Sequence, residues 1–448
     1  LALIKKDKLF QPAQVLAISF ALAILIGALL LLLPFSTTSG RISFVDALFT
    51  STSAVCVTGL IVQDTPTYFT LAGQVIILLL IQLGGLGVMT FSTMVLLVAG
   101  RKIAFTDRIL VQEGFHPSTV LDFRSLIKNV FFFTFSIEFL GCVLLLLRFQ
   151  RELPWPRALY SSLFHAVSAF CNAGFSVNSN SFMSYRGDVL VNLTVVGLIV
   201  LGGLGFLVIQ EVVAFVVSRR RGMKAHLSLH SKLVLSLTGL LIGLAFVIFV
   251  SLEWRNALAA LTPKEKILAS LFQVVTPRTA GFNTMDLNTL GTATVTLIML
   301  LMFIGASPGS TGGGVKTSTF ATVLAFIRSK IVARESVNLF YRTIPQENVI
   351  KAFTVLSLAT CLIFISTFLV LATQPGMLIK EVLFEVFSAF GTVGLSLGIT
   401  PALSPLSKVV VVMTMYAGRV GPLTLLYAFS RRRAIGKFEY VEERVMIG

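Results

Sequence analysis

SAVCVTGL at Ser53–Leu60, SAFCNAGF at Ser168–Phe175, VTPRTAGF at Val275–Phe282 and SAFGTVGL at Ser388–Leu395 are four spellings of one segment. Each ends in a glycine followed by a large apolar residue: Gly59-Leu60, Gly174-Phe175, Gly281-Phe282 and Gly394-Leu395. The glycines recur roughly every 110 residues, the period of a whole structural unit. Three copies carry Ser-Ala six and five positions before the glycine. Every copy also follows an amphipathic segment with a phenylalanine in it, Phe49, Phe164, Phe272 or Phe384. The chain therefore writes one loop-bearing unit four times.

Composition says where these units reside. Of 448 residues, 55% are hydrophobic and 12% charged, and mean hydropathy is +0.90. A soluble domain carries about a quarter charged residues, so this is an all-α integral membrane chain. Crossing about 30 Å of hydrocarbon takes about 20 apolar residues as a helix. Eight stretches qualify, close to 15–33, 74–99, 126–147, 189–217, 229–252, 293–327, 349–372 and 409–429. They bracket the four loops, so each repeat reads span, pore loop, span. The expected division is a cytoplasmic N-terminus over 1–11, pore repeats over 12–105, 118–222, 226–335 and 346–433, and a cytoplasmic tail over 434–448.

Lysine and arginine cluster at one end of the spans. Lys5, Lys6 and Lys8 precede the first, and each unit's second span runs into a basic group: Arg101-Lys102, Arg219-Arg220-Arg221 with Lys224, Arg328 with Lys330 and Arg334, and Arg431-Arg432-Arg433 with Lys437. These ends and both termini are expected in the cytoplasm, with the chain multi-pass in the plasma membrane and the loops opening outward. Arg148, Arg151 and Arg157 run against this pattern. The formal charge of +16 follows largely from the inner clusters, so no nucleic-acid partner is implied. The first span is long and leucine-rich, lacks an A-x-A site and completes the first unit, which argues for a retained helix rather than a signal peptide.

Irregular backbone at membrane depth survives only when buried in protein or lining water. A loop whose carbonyls face an axis takes a cation as their partner, and glycine lets four such loops approach closely. The candidate ion-binding residues are Val57, Thr58 and Gly59, then Asn172, Ala173 and Gly174, then Thr279, Ala280 and Gly281, and finally Thr392, Val393 and Gly394. The last set, continued by Leu395 and Ser396, reads like the T-V-G-Y-G filter of potassium channels, although the tyrosine and second glycine are missing from every unit.

These four filters resemble those of the single-chain, fourfold-repeated potassium transporters of the Trk, Ktr and plant HKT group. Eight spans with no extra N-terminal helices are most similar to the membrane subunit of a bacterial Ktr potassium uptake system. The resemblance implies that the four glycines line a selectivity filter, that the cargo is K+ with Na+ as the rival ion, and that no cofactor is needed. Within that group a serine at the first glycine accompanies sodium permeation, and this chain has Gly59 there. The resemblance also implies a homodimer resting on a cytosolic nucleotide-binding regulatory ring.

A second signature lies within the second spans: Leu83-Gly84-Gly85-Leu86-Gly87, Leu201-Gly202-Gly203-Leu204-Gly205, Ile304-Gly305-Ala306 and Ala417-Gly418-Arg419. Close helix packing through small residues explains it; a bend or a widened pore is the alternative. In unit three, Gly305, Ser307, Pro308, Gly309, Gly312, Gly313, Gly314 and Lys316 crowd mid-span. Proline and glycine disfavour helix interiors by about 3 and 1 kcal/mol, so this span is expected to break into half-helices around an intramembrane loop. Such breaks line ion pathways, and the resemblance implies a gate here. The glycines imitate a phosphate loop, but Val315 intervenes before Lys316 and no strand precedes them. Arg419 is the other mid-span cation. It raises a barrier beneath a cation filter, or it is held by loop carbonyls or a carboxylate such as Glu385 or Glu138.

Cys56, Cys142, Cys171 and Cys361 form no CxxC pair and are expected as buried free thiols. His165 on the second pore helix is expected to be packed or hydrogen-bonded rather than a ligand. Gln63, Asp64, Asn178, Asn283 and Asp286 follow the filters as ordinary loop residues or as a cation-concentrating mouth. No nucleophile with a base and an orienting partner can be assembled, so the chain is not expected to be an enzyme. The expected function is gated, channel-like K+ uptake. A Na+- or H+-coupled symporter, or the conducting subunit of an ATP-driven pump such as the Kdp system, is the alternative.

Overall fold

The computed structural model describes residues 12–87 and 123–429. The basic groups Lys5 to Lys8, Arg101-Lys102 and Arg431 to Lys437 lie outside those residues, as do 88–99 of the second expected span and the tail 434–448.

Unit one comprises α1 (Pro12–Leu31), α2 (Phe44–Val55), the short α3 (Thr65–Tyr68) and α4 (Leu71–Leu86). Unit two runs through α5 (Phe123–Phe149), α6 (Trp155–Phe170), α7 (Val189–Leu204) and α8 (Phe206–Arg220). Unit three has α9 (Leu229–Glu253), α10 (Pro263–Val275), α11 (Thr292–Phe303) and α12 (Thr317–Ile331). A small antiparallel hairpin, β1 (Asn338–Leu339) and β2 (Arg342–Thr343), leads into unit four. That unit holds α13 (Gln346–Thr373), α14 (Ile379–Gly391), α15 (Pro405–Val420) and α16 (Pro422–Phe429).

The first helices α1, α5, α9 and α13 are long and apolar enough to cross a membrane without interruption. Their outward faces expose Leu25, Phe139, Leu240 and Phe368, which only hydrocarbon would tolerate over such a surface. Cys56, Cys142 and Cys171 are buried free thiols, but Cys361 on α13 is exposed. That departs from expectation because α13 turns this face away from the protein, and a thiol is apolar enough to sit there.

Among the described residues, the second helices of units two, three and four are interrupted. Between α7 and α8 the axis turns by 102°. The glycines of the second signature divide two tasks that the sequence offered as alternatives. A Cβ on Gly84, Gly202 or Gly418 would strike the carbonyl of Val55, Phe170 or Phe390, each at the end of its own unit's pore helix. Gly87, Gly205 and Gly421 instead adopt φ of 77°, 91° and 92°, where L side chains are strained, and end α4, α7 and α15. Gly418→Ala is therefore expected to destabilise the purified protein by about 1–3 kcal/mol or more through overpacking. Gly239→Ala, on α9 with open space where its Cβ would go, is expected to leave the melting temperature unchanged or raise it.

The pore helices α2, α6, α10 and α14 form the interior. Phe49, Phe164, Phe272 and Phe384, one per helix, are each 0% exposed. Their burial supplies the amphipathic pattern read from the sequence. Ser43 caps α2, and Thr262 with Glu265 forms a reciprocal capping box on α10, which fixes where these short helices begin.

Candidate functional site

Each pore helix ends in a hydroxyl residue that ties the next segment back onto it. Ser53 Oγ accepts from Gly59 N at 3.0 Å and Ser388 Oγ from Gly394 N at 3.0 Å. Ser168 Oγ donates to Phe175 O at 2.7 Å and Thr276 Oγ1 to Phe282 O at 2.6 Å. Backbone amides are drawn the same way: Thr58 N to Ser53 O, Ala173 N to Ser168 O and Val393 N to Ser388 O at 2.7–2.8 Å, and Ala280 N to Thr276 O at 2.9 Å. With these N–H groups taken up by the preceding helix ends, the carbonyls are left over. Among the described residues, no carbonyl of Val57–Gly59, Asn172–Gly174, Thr279–Gly281 or Thr392–Gly394 accepts a hydrogen bond.

The backbone alternates to allow this. Val57, Asn172, Thr279 and Thr392 have φ of 56°, 60°, 75° and 50°, and the glycines two residues on have φ of 90°, 69°, 78° and 91°. In every unit a left-handed residue thus stands two positions before a left-handed glycine. The segments also close into a ring. A Cβ on Gly59 would meet Ala173 O, on Gly174 Ala280 O, on Gly281 Val393 O, and on Gly394 Thr58 O. Each of these segments thus abuts the next in the order one, two, three, four, one. All twelve residues singled out from the sequence come together here.

Directly against this ring lies the loop between α11 and α12, which begins with Ile304 bridged to Val315. Gly313 N donates to Thr392 Oγ1 at 2.9 Å, and a Cβ on Gly312 would collide with the Thr279 side chain. The interrupted helices leave C-terminal carbonyls without intrahelical partners, and the loop supplies the donors. Ser307 N donates to Gly203 O at 3.0 Å, Thr311 N to Gly202 O at 3.2 Å and Gly314 N to Gly418 O at 3.2 Å. In return Gly309 O accepts from Phe206 N at 3.2 Å, and the Pro308 carbonyl packs where a side chain on Gly205 would stand. Lys316 folds back to donate to Gly312 O at 2.6 Å.

Arg419 completes the seam. Its two terminal nitrogens donate to Thr311 O in the loop and to Gly84 O at the end of α4. The sequence left open whether a carboxylate or carbonyls would hold this cation; carbonyls do. Glu138 instead accepts from Gln82 Nε2 at 3.3 Å, and Glu385 from Ser396 Oγ at 2.7 Å and from Thr400 Oγ1. The guanidinium also sits at the negative end of α4.

At the opposite mouth, Asp64 Oδ2 accepts from Thr67 and from Ser179 of the next unit, each at 2.7 Å. Asp286 caps its own turn through Asn288 N at 3.0 Å. These acids act as local braces.

From the sequence alone, Ser53, Ser168, Thr276 and Ser388 carried no role. Their recurrence five or six positions before the glycine was visible, and their function as ties follows from where α2, α6, α10 and α14 end. Thr311 and Gly84 carried no advance signal as partners of Arg419.

A family model described as a cation transport protein, TrkH, matches residues 6–438. Ktr system potassium uptake protein B of Bacillus subtilis is 42% identical over 435 residues, covering 96% of each chain. Potassium/sodium uptake protein NtpJ of Enterococcus hirae is 38% identical over 449 residues, with 98% of each covered. The crystal structure of the potassium transporter TrkH from Vibrio parahaemolyticus matches at a TM-score of 0.73 and 20% identity, covering 95% of this chain and 86% of that one. Its likeness concerns the fold. Given a family match across nearly the whole length, the chain belongs to the TrkH family of cation transport proteins.

Proposed function

We propose that the chain is the membrane subunit of a bacterial potassium uptake system, conducting K+ through the carbonyl ring and past a gate formed by the Gly305–Lys316 loop and Arg419. The observation that carries this is the closed ring of four glycine contacts whose carbonyls lack hydrogen-bond partners among the described residues. Buried, unpaired carbonyls are costly, and a dehydrated monovalent cation supplies what they lack. The relatives named as potassium uptake proteins point the same way. The repeats span 12–105, 118–222, 226–335 and 346–433, with the filter mouths facing outward and the basic ends of α8 and α12 facing the cytoplasm. The relatives named as parts of a Ktr system support a multi-component assembly; a homodimer on a cytosolic nucleotide-binding ring is the form proposed.

Sodium is the rival cargo, favoured by the relative named as a potassium/sodium uptake protein. Cation flux into proteoliposomes of the purified chain tests both readings. Passive flux that favours K+ and needs no second ion gradient is the expected result. Transport only with a coupled Na+ or H+ gradient would replace the gated pore with a symporter. Flux that appears only with an ATP-hydrolysing partner would indicate a pump subunit.

A further inference from the structure

Three residues before each tying hydroxyl, the four pore helices place Thr50, His165, Gln273 and Glu385 in equivalent positions. All four are buried, at 2%, 0%, 0% and 1% exposure. Two residues beyond each filter glycine stand Ile61, Ser176, Asn283 and Ser396. In units two and four these positions are joined by the same construction. His165 Nδ1 lies 2.8 Å from Ser161 O and takes the proton needed to donate there, leaving Nε2 to accept from Ser176 Oγ at 2.9 Å. Ser176 Oγ in turn accepts from Asn178 N at 2.9 Å. Glu385 accepts from Ser396 Oγ at 2.7 Å, and Ser396 Oγ accepts from Gly398 N at 3.0 Å. An imidazole and a carboxyl group thus perform one task, each accepting from a hydroxyl that closes a tight turn at the outer end of its strand.

Units one and three lack the brace. Thr50 stands opposite Ile61, which has no hydroxyl to offer. Neither the nitrogen nor the oxygen of the Gln273 amide has a hydrogen-bond partner among the described residues. The ring order one, two, three, four puts the braced strands diagonally across the axis from each other.

We propose that His165 and Glu385 are positioning residues that set ion selectivity by fixing the outer ends of strands two and four through Ser176 and Ser396. A filter distinguishes K+ from the smaller Na+ only if its carbonyls resist closing around the smaller ion or keep their number and field. Two opposed strands held from behind satisfy that requirement, and the unbraced pair follows because every strand abuts its neighbours. The proposal rests on the filter reading and adds residues that do not touch the ion.

The test measures thermal stabilisation of the purified full-length chain by K+ and by Na+, giving the ratio of the two apparent dissociation constants without requiring the gate to open. Ser176→Ala and Ser396→Ala are each expected to reduce the K+-over-Na+ ratio by about fivefold, the loss of one buried hydrogen bond, and together by more. Glu385→Ala should match Ser396→Ala, and Glu385→Gln, which keeps an acceptor oxygen, should recover part of the ratio. Ser51→Ala is the control. It removes a buried pore-helix hydroxyl that donates to Ile24 O at 2.7 Å, and should lower the ion-free melting temperature while leaving the ratio unchanged. Serine variants within about twofold of the parent ratio, less than one such bond is worth, would overturn the proposal, as would an equal change in Ser51→Ala. A parent ratio that falls with Gly59→Ser but not with the serine variants defeats the brace alone. A parent chain with no K+ preference defeats the brace and the filter reading together.

Discussion

Gly59→Ser is expected to lower the K+-to-Na+ flux ratio by about tenfold or more, with the fold intact. Gly59 has φ of 90°, and a left-handed backbone disfavours a side chain by about 1–2 kcal/mol. A Cβ there would also lie 2.5 Å from Ala173 O and 3.0 Å from the Gly174 Cα. The strand has to withdraw from its neighbour, which alters the distance between carbonyls in units one and two. The serine hydroxyl also offers a ligand of a different field and reach. A displacement of this kind needs only about 1.4 kcal/mol between the two ions to give the tenfold change. Reversal-potential or competition flux measurements in proteoliposomes read it directly. An unchanged ratio, with the variant folded, would remove Gly59 from the ion path. Gly376→Ala, at a turn where no atom lies within 4 Å of the added Cβ, serves as the insertion control.

The glycines were legible because one physical demand, close approach of four backbones, admits one residue type. The left-handed residue two positions earlier was not. Valine, asparagine and threonine hold that place in different units, so no residue type announces it, and only the pull of the tying hydroxyls forces the conformation. The unit-three break was legible from Pro308 and its glycines, whose local penalties exceed what a helix can absorb. The helix ends at Gly87, Gly205 and Gly421 were not separable from packing, because a glycine required for close approach and one required for positive φ look the same in sequence. In Leu201-Gly202-Gly203-Leu204-Gly205 both demands fall within four residues. Burial of the pore-helix phenylalanines followed from amphipathic spacing, but the partner choices of Glu138 and Arg419 depended on contacts between units far apart in the chain.

Arg419→Ala is expected to raise basal cation flux about tenfold or more while lowering thermal stability, an opposite pairing to that of a variant that merely damages the fold. The guanidinium bridges Thr311 O in the loop to Gly84 O in another unit, so its loss frees one side of the loop, leaves Thr311 O without a donor and leaves Gly84 O only the Gly87 amide. Each hydrogen bond from a charged donor contributes about 1.5–3 kcal/mol. Two of them exceed the difference that separates a closed loop from one open a tenth of the time. Removing the charge acts in the same direction, since a fixed cation below the ring repels the ion that has just left it. Arg419→Lys separates the two effects. Lysine keeps the charge but not the planar fork that spans both carbonyls. If charge forms the barrier, the lysine variant stays closed; if the bridge does, its flux rises nearly as far as that of alanine. The loop has other ties, at Gly202, Gly203, Gly418 and Thr392, so it remains ordered when Arg419 is lost. Flux unchanged in both variants would mean that those ties alone hold the loop across the path, and that Arg419 serves only to join α15 to α4.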